Sequence, residues 1–378
     1  DSVLVKTLSL DMVAGRPATR RRMETQILHF DGRDWRGYTY AWNETQTDAE
    51  LVPSEGRNQT LEIQDEAAPE GHRDYTWRFA SRTECIRCHN PWSDHTLAFN
   101  IAQLNRPHDY GDVSDNQLRT LRHIGVLRFA GEEETRPPAA LPRLADPYEQ
   151  SQELDARARA YLHVNCAHCH RNGGGGSAYV HLPYDTALSE TRSLGVRPTQ
   201  GTFGIHNAEI IAAGDPYRSV LYFRLAKAGP GHMPHLGAQL VDPQGLELIH
   251  DWIDQLPTSP GADNRPLRTT ARDQRTILER LVQSEAAAER RTEWIGELLD
   301  APSTALMLVR QLRLGRLPRP VRDQVVSAAG NHEEPVVRDL FEPFLPEDQR
   351  VRRLGDVFAA SDILALEGDA VRGLSLIH

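Results

Sequence analysis

Short runs of alternating apolar and polar residues occupy much of the first 80 positions and predict β structure. These runs are rich in β-branched and aromatic side chains and are bounded by Gly, Asp and Asn. They lie at residues 3–8, 24–30, 35–40 and 60–63. Asp31-Gly32 is a turn signal between the second and third runs. The pattern therefore predicts a small antiparallel sheet or sandwich.

Helical spacing of apolar residues begins further along the chain. Residues 114–126 are predicted to form a helix, because Ser114 and Gln117 fit a capping box at its start. The apolar residues on one face of this helix are Leu118, Leu121 and Ile124. His123 lies between these apolar residues in the sequence.

Two further segments carry a stronger apolar stripe. Residues 154–164 and 243–256 both repeat apolar side chains at intervals of three and four, as expected of helices with one buried face. The stripes consist of Leu154, Ala158, Tyr161 and Leu162 in the first, and of Leu246, Ile249, Trp252, Ile253 and Leu256 in the second. We expect these two helices to pack against each other.

The region after residue 271 reads as four or five amphipathic helices joined by short loops, extending to about residue 347. Paired helices of this kind resemble a HEAT-type stack, although two pairs are too few to establish a repeat. Turn-rich segments at 136–142 and 257–261 precede and end the middle part of the chain.

Composition places the chain among ordinary globular proteins. Of its 378 residues, 39% are hydrophobic and 25% are charged. The net charge of −10 argues against nucleic-acid binding, which favours clustered positive charge. No apolar run approaches the roughly 18 residues of a membrane span.

Two copies of the pattern C-x-x-C-H carry the most specific chemical signal. They are Cys85-Ile86-Arg87-Cys88-His89 and Cys166-Ala167-His168-Cys169-His170. In this pattern the two thiols form thioethers with one porphyrin, and the following imidazole ligates its iron. The sequence therefore predicts two covalently bound haem c groups.

Other uses of paired cysteines fit less well. Zinc ribbons pair two C-x-x-C units across about 12–20 residues, whereas 77 residues separate Cys88 from Cys166. A thioredoxin-like redox motif does not require the following histidine. The two motifs also use all four cysteines of the chain. Haem attachment is the favoured interpretation, and zinc or redox cysteines are the alternatives.

The sixth ligand of each iron decides its chemistry. For the second haem we predict Met233, which lies in a Gly/Pro loop 63 residues after His170. For the first haem His123 is preferred, with His95, His108 and His29 as alternatives. If none of them binds, the first iron is open to peroxide.

The motifs resemble those of a family of bacterial dihaem c-type cytochromes, and residues 154–256 resemble a class I cytochrome c domain. The resemblance covers roughly residues 1–260 and depends on Tyr38-x-Tyr40-x-Trp42-Asn43, Gln46-x-Asp48-Ala49, Ser81-Arg82-x-x-Cys85-x-x-Cys88-His89 and Gln103-Leu104-Asn105. It implies haem-binding roles for Cys85, Cys88, His89, Cys166, Cys169, His170 and Met233. Members of the family often form part of larger polypeptides, sometimes after a propeller similar to a quinoprotein sugar dehydrogenase. The implied partners are therefore such a dehydrogenase and a further cytochrome domain.

The expected fold is mixed: an antiparallel β domain, α-helical cytochrome c domains and a helical, HEAT-like segment. The expected divisions are a β-rich domain (1–80), a first haem c segment (81–135), a class I cytochrome c domain (145–257), a helical segment (265–360) and the start of a truncated further domain (361–378). The last five residues, 374–378, do not fit such a domain and are expected to be foreign. The natural amino terminus is expected to be missing.

Function follows from these expectations. Haem c is attached outside the bacterial cytoplasm, so a periplasmic or other extracytoplasmic location is expected. The favoured function is an electron relay from a dehydrogenase to a further cytochrome or oxidase. The alternatives are a dihaem peroxidase with an open first haem, and an interaction module in which the haem is structural.

Overall fold

The computed structural model describes residues 2–66, 68, 71–97, 99–128, 131, 136–238, 240–258, 265–283, 287–346, 349–350 and 368. The predicted start of a further domain at 361–378 lies outside these residues, apart from Gly368. In the described residues an antiparallel sheet comes first and helices follow, so the predicted mixed class is confirmed.

The amino-terminal sheet contains four antiparallel strands in sequential order. They are β1 (Ser2–Asp11), β2 (Arg20–Phe30), β3 (Trp35–Trp42) and β4 (Ala49–Leu51). The turn between β2 and β3 forms at Asp31-Gly32 as predicted. The amide of Asp31 donates to the carbonyl of Asp34 at 3.1 Å, and Gly32 takes a φ of 91°, which glycine adopts without strain.

A second hairpin covers this sheet. It consists of β5 (Arg57–Gln64) and β6 (His72–Phe79). Buried Met23 and Ala41 from the first sheet pack with Phe79 from the hairpin. The four predicted strands are confirmed, and the prediction misses β4 and β6.

The segment after the hairpin contains short elements. They are α1 (Arg82–Cys88), α2 (Ile101–Leu104), β7 (Pro107–Asp109), β8 (Ser114–Asn116) and α3 (Gln117–His123). The prediction that a helix begins at Ser114 is wrong, because Ser114 pairs with Asp109 in the ladder of β7 and β8. Asn116 caps α3 instead, and its side chain accepts from the amides of Leu118 and Arg119. Leu118 is buried, whereas Ile124 beyond the helix is exposed.

The middle of the chain contains α4 (Leu154–Asn165), α5 (Val220–Ala226) and α6 (Pro243–Gln255). The two predicted stripe helices, α4 and α6, pack against each other as expected. Their contact depends on Gly245, where an added Cβ would lie 2.3 Å from the ring of Tyr161. The indole N–H of Trp252 donates to Asp155 at 2.8 Å and also ties the pair together.

Five helices follow: α7 (Arg265–Gln283), α8 (Ala288–Leu299), α9 (Pro302–Arg313), α10 (Arg319–Gly330) and α11 (Pro335–Phe341). Their buried side chains continue the core of α4, α5 and α6, so that one hydrophobic cluster extends from Ala158 to Phe341. Among the described helices, none is both long enough and apolar enough to cross a membrane.

Candidate functional site

The two C-x-x-C-H motifs meet in space. The Sγ atoms of Cys88 and Cys169, which are 81 positions apart in the sequence, lie 3.9 Å from each other. This is close to van der Waals contact between sulfur atoms. The structure thus brings the two predicted haem-attachment motifs together into one site.

Helix α1 carries the cysteines of the first motif and begins at a complete capping box. The hydroxyl of Ser81 accepts from the amide of Glu84 at 3.1 Å, and the Glu84 carboxylate accepts from the amide of Ser81 at 2.7 Å. Arg78 holds the same carboxylate at 3.1 Å. The capping box fixes the start of the helix three residues before Cys85.

Cys85 packs against the N-terminal sheet. An added Cβ at Gly37, in β3, would lie 2.7 Å from the Cβ of Cys85 and 3.0 Å from its Sγ. Atoms essentially never approach this closely, so only glycine leaves room for the helix at this position. Gly37 therefore lets the β sheet support the first motif.

His89 is oriented by a mutual contact with His95. The Nδ1 of His89 contacts the carbonyl oxygen of His95, and the Nδ1 of His95 lies 3.1 Å from the carbonyl oxygen of His89. The ring of His95 also stacks on Trp35, with centroids 6.4 Å apart. A histidine whose Nδ1 is held by a carbonyl keeps its Nε2 for a metal. Burial lowers the pKa of His89, which favours the neutral form that can ligate.

The second motif follows directly after α4. The amide of His170 donates to the carbonyl of Cys166 at 2.8 Å, which closes a tight turn around the motif. The glycines after it pack closely: an added Cβ at Gly176 would lie 2.9 Å from the Nδ1 of His170. Burial lowers the pKa of His170, although the nearby carbonyl of Ala178 acts in the opposite direction. His170 is therefore also favoured in its neutral form.

A cavity of about 370 Å³ opens beside the second motif. Cys166, Cys169 and His170 border it, and so does Met233. Its volume lies within the range of about 300–1,000 Å³ that small-molecule pockets occupy. Much of the remaining wall is apolar, formed by Val180, Leu182, Ile210, Val220, Leu221 and Leu225. Two thiols, an imidazole and a thioether bordering one apolar cavity are the donor set that a class I haem c requires, so these residues fit the group.

The loop that carries Met233 is held on both sides. The amide of Met233 donates to the carbonyl of Arg224 at 3.1 Å, and the guanidinium of Arg224 donates to the carbonyl of Gly231 at 3.0 Å. From the other side, the buried ammonium of Lys227 contacts the carbonyls of Ala228, at 2.9 Å, and Pro230.

The contact between the motifs also forms a compact donor cluster. Ligand atoms of Cys88, His168 and Cys169 all lie within 4.8 Å of one another. Hydrogen bonding from Cys88, and then from His168, lowers the pKa of Cys169. The same contact and burial raise the pKa of Cys88. The thiol of Cys169 thus loses its proton more readily than an isolated cysteine, whereas that of Cys88 loses it less readily.

Of the first motif, Cys88 borders the cavity, whereas Cys85 and His89 do not. His123, the preferred sixth ligand of the first haem, lies exposed at the end of α3. Among the alternatives, His108 is exposed in β7 and His95 is the partner of His89, while His29 lies in β2 opposite Arg36. Sequence reasoning missed His168 and His235, which both border the cavity. The position of His168 inside the second motif was the available signal.

Comparison with protein-family models, with curated proteins and with solved structures finds no match for this chain.

Proposed function

We propose that this chain is a dihaem c-type cytochrome that relays electrons from an extracytoplasmic dehydrogenase to a further cytochrome or oxidase. The observation that carries the proposal is the cavity bordered by Cys166, Cys169, His170 and Met233. A haem bound there supplies an iron that gains and loses one electron.

Each residue around the cavity would hold a different part of that group. The sulfurs of Cys166 and Cys169 would anchor it covalently, and the neutral imidazole of His170 would coordinate the iron. Met233 would supply the second protein ligand of the iron, since it borders the same cavity as His170. A thioether ligand raises the reduction potential and fills the last coordination position. Both effects favour electron transfer over the binding of small molecules.

The first motif would supply donors of the same types, although Cys85 and His89 lie outside the cavity beside the second motif. Cys85 and Cys88 provide the two sulfurs, and His89 is turned by the carbonyl of His95 so that its Nε2 remains for iron. His123 stays the predicted sixth ligand of this haem, and its ring would have to approach from an exposed position at the end of α3.

We extend the proposal to fold family, location and partners. The packing of α4 on α6, with a haem motif directly after α4, supports a class I cytochrome c arrangement for residues 145–257. The succession α7 to α11 supports the HEAT-like interpretation of the following segment. Two haem c groups imply a periplasmic or other extracytoplasmic location. The proposed partners are a quinoprotein-type dehydrogenase and a further cytochrome domain.

Haem stoichiometry tests the proposal directly. The chain is produced in a bacterium that attaches haem c, and its intact mass and pyridine haemochrome spectrum are measured. We expect two covalently bound haems per chain, both reversibly reduced and oxidised. A chain that matures without covalent haem would contradict the proposal.

A second candidate function is a site for a soft metal ion. Cys88, His168 and Cys169 form a donor cluster of the kind that binds zinc, with one coordination position left over. The two functions exclude each other, because a sulfur that has formed a thioether is no longer a thiolate ligand. Elemental analysis of the purified full chain separates them: one equivalent of zinc without covalent haem favours the metal site, and two haems without zinc favour the cytochrome.

A further inference from the structure

We propose that Cys88 and Cys169 form a disulfide cross-link between the two motifs in the haem-free chain. The Sγ atoms of these cysteines lie 3.9 Å apart, and both residues are free cysteines in the structure. Cys88 also borders the cavity beside the second motif, whereas Cys85 does not. The cross-link joins α1 of the first motif to the turn that follows α4, across 81 positions of the sequence.

The separation of the two sulfurs is short enough for bond formation. A disulfide bond is about 2.0 Å long, so the two Sγ atoms have to approach each other by roughly 2 Å. A change of χ1 between staggered rotamers moves a cysteine sulfur by more than this. The cross-link therefore needs rotation of thiol side chains that already face each other.

Close packing around the sulfurs keeps the two motifs together. Trp92, just after the first motif, lies against Gly173, just after the second, where an added Cβ would be 2.2 Å from the indole. The carbonyl of Arg87 lies 3.2 Å from the position of a Cβ on Gly175. Glycine at both positions therefore lets the two sulfurs come within contact distance.

The cross-link forms by thiol–disulfide exchange with a small disulfide such as oxidised glutathione. One cysteine of the pair displaces the first half of that molecule as a free thiol and becomes a mixed disulfide. The other cysteine, whose sulfur is 3.9 Å away, displaces the second half and closes the link. The two cysteine hydrogens leave on the two released thiols, so the chain loses two electrons and the small disulfide gains them.

The proposal rests on the proposed dihaem function for its location and its consequence. Compartments outside the bacterial cytoplasm are oxidising, so disulfides form and persist there. A sulfur held in a disulfide is not free to form a thioether, so the link blocks haem attachment at the second cysteine of both motifs. A reducing thiol therefore has to open the link before either motif can take up haem through both of its cysteines.

Peptide mapping of the haem-free full chain tests the cross-link. The chain is produced without haem attachment, reduced, and reoxidised in a glutathione buffer with and without urea, and free thiols are alkylated before digestion. Without urea we expect a linked peptide pair containing Cys88 and Cys169, with Cys85 and Cys166 alkylated. In urea, links within each motif should dominate, because short loops close at a lower entropic cost. The same links in both samples, or no link without urea, would overturn the proposal.

Serine variants give a second test with matched controls. Cys88→Ser and Cys169→Ser each remove one sulfur of the proposed link, whereas Cys85→Ser and Cys166→Ser each remove a sulfur outside it. A link across 81 positions makes the denatured chain more compact, so it migrates faster in a non-reducing gel. We expect the fast band in the natural chain and in the last two variants, and its loss in the first two. The fast band in all four variants, or in none, would overturn the proposal.

Production in a bacterium that attaches haem c separates the failure of this proposal from that of the dihaem function. The natural chain made there should contain covalent haem and no link between Cys88 and Cys169. A chain that keeps the link and carries no covalent haem would overturn the dihaem function and support the cross-link. Covalent haem in these cells, combined with a haem-free chain that never forms the link, would overturn the cross-link and leave the dihaem function standing.

Discussion

The ammonium of Lys227 lies 3.0 Å from the Oδ2 atom of Asp339, and this ion pair joins the Met233 loop to the helical tail. The Lys227 side chain is 2% exposed and that of Asp339 is 17% exposed. Lys227 also contacts two carbonyls of the loop, and the amide of Ala228 donates to the carbonyl of Asp339 at 3.3 Å. Helix α11 therefore helps to position the predicted axial ligand.

Asp339→Ala should destabilise the protein strongly. It leaves the ammonium of Lys227 buried without its carboxylate, and removing one member of a buried pair costs about 3–5 kcal/mol. The free energy of unfolding, measured in urea on the haem-loaded protein, should fall by that order. The absorption band that reports methionine ligation should also weaken, because the loop loses its anchor.

An exposed ion pair provides the control for this prediction. Arg290 and Glu293 are 61% and 63% exposed, and pairs of this kind contribute about 0–1 kcal/mol. Glu293→Ala should leave both the unfolding curve and the methionine band nearly unchanged. If Asp339→Ala behaves like Glu293→Ala, the buried pair does not support the loop.

Gly37→Ala should disturb the first motif. The new methyl group would lie 2.7 Å from the Cβ of Cys85, and overpacking of this kind costs about 1–3 kcal/mol. We expect lower stability and partial loss of covalent haem from Cys85 and Cys88, measured by mass spectrometry of the motif peptides. Full occupancy with unchanged stability would contradict the close packing.

Gly296→Ala is the matched control. Gly296 lies inside α8, and an added Cβ there meets nothing within 4 Å. Alanine in a helix is more favourable than glycine by about 0.5–1 kcal/mol. The substitution should therefore stabilise the chain slightly and leave haem attachment at the first motif unaffected.

Much of the fold could be predicted from the sequence because it depends on local patterns. The alternating apolar residues of the first 80 positions and the apolar stripes of α4 and α6 indicate which side chains are buried. The start of α3 could not be predicted in this way. Ser114 is a good helix cap by type, but its backbone is extended by pairing with Asp109, and pairing between strands overrides the local preference.

The candidate site, too, could be predicted from the sequence only in part. The spacing of each C-x-x-C-H motif gives the predicted haem donors. The Gly/Pro loop around Met233 singled out that methionine among the four in the chain, and Met233 borders the cavity. The contact of Cys88 with Cys169 and the pairing of Lys227 with Asp339 join positions 81 and 112 residues apart. No local pattern carries such information, because these contacts depend on how whole elements pack.

The stability of the protein should depend on pH through Glu24. This residue is 2% exposed in β2, and burial raises its pKa from 4.5 to about 7, although a hydrogen bond from Gln26 opposes the shift. Between these values the folded protein keeps a proton that the unfolded chain has released. The free energy of unfolding therefore falls as pH rises from about 4.5 to 7, by about 3 kcal/mol in total.

Glu24→Gln should remove this part of the pH dependence. Glutamine keeps an oxygen for the bond from Gln26, which measures 2.8 Å, and carries no charge to bury. Urea unfolding at pH 5 and pH 8 checks the prediction: the variant should gain stability relative to the natural chain at pH 8 and gain little at pH 5. If the variant and the natural chain differ by the same free energy of unfolding at both pH values, Glu24 does not titrate in this range.

Met233→Ala should remove the proposed second iron ligand of the second haem. The methionine-to-iron charge-transfer band should disappear, the reduction potential should fall, and the ferrous haem should begin to bind carbon monoxide, because methionine ligation raises the potential and fills the sixth position. His235 borders the same cavity, so the double variant with His235→Ala shows whether that imidazole replaces the lost thioether.

Met307→Leu supplies the control for this substitution. Met307 is buried in the core of α9, and an exchange of similar volume costs less than about 1.5 kcal/mol. The absorption spectrum of the Met307→Leu variant should retain the methionine band. If the band survives in Met233→Ala and disappears in Met307→Leu, the ligand comes from the helical tail and the assignment of Met233 is wrong. If it survives in both variants, the remaining candidates are Met12 and Met23 of the β-rich region, and the cavity beside His170 would lose its role in ligation.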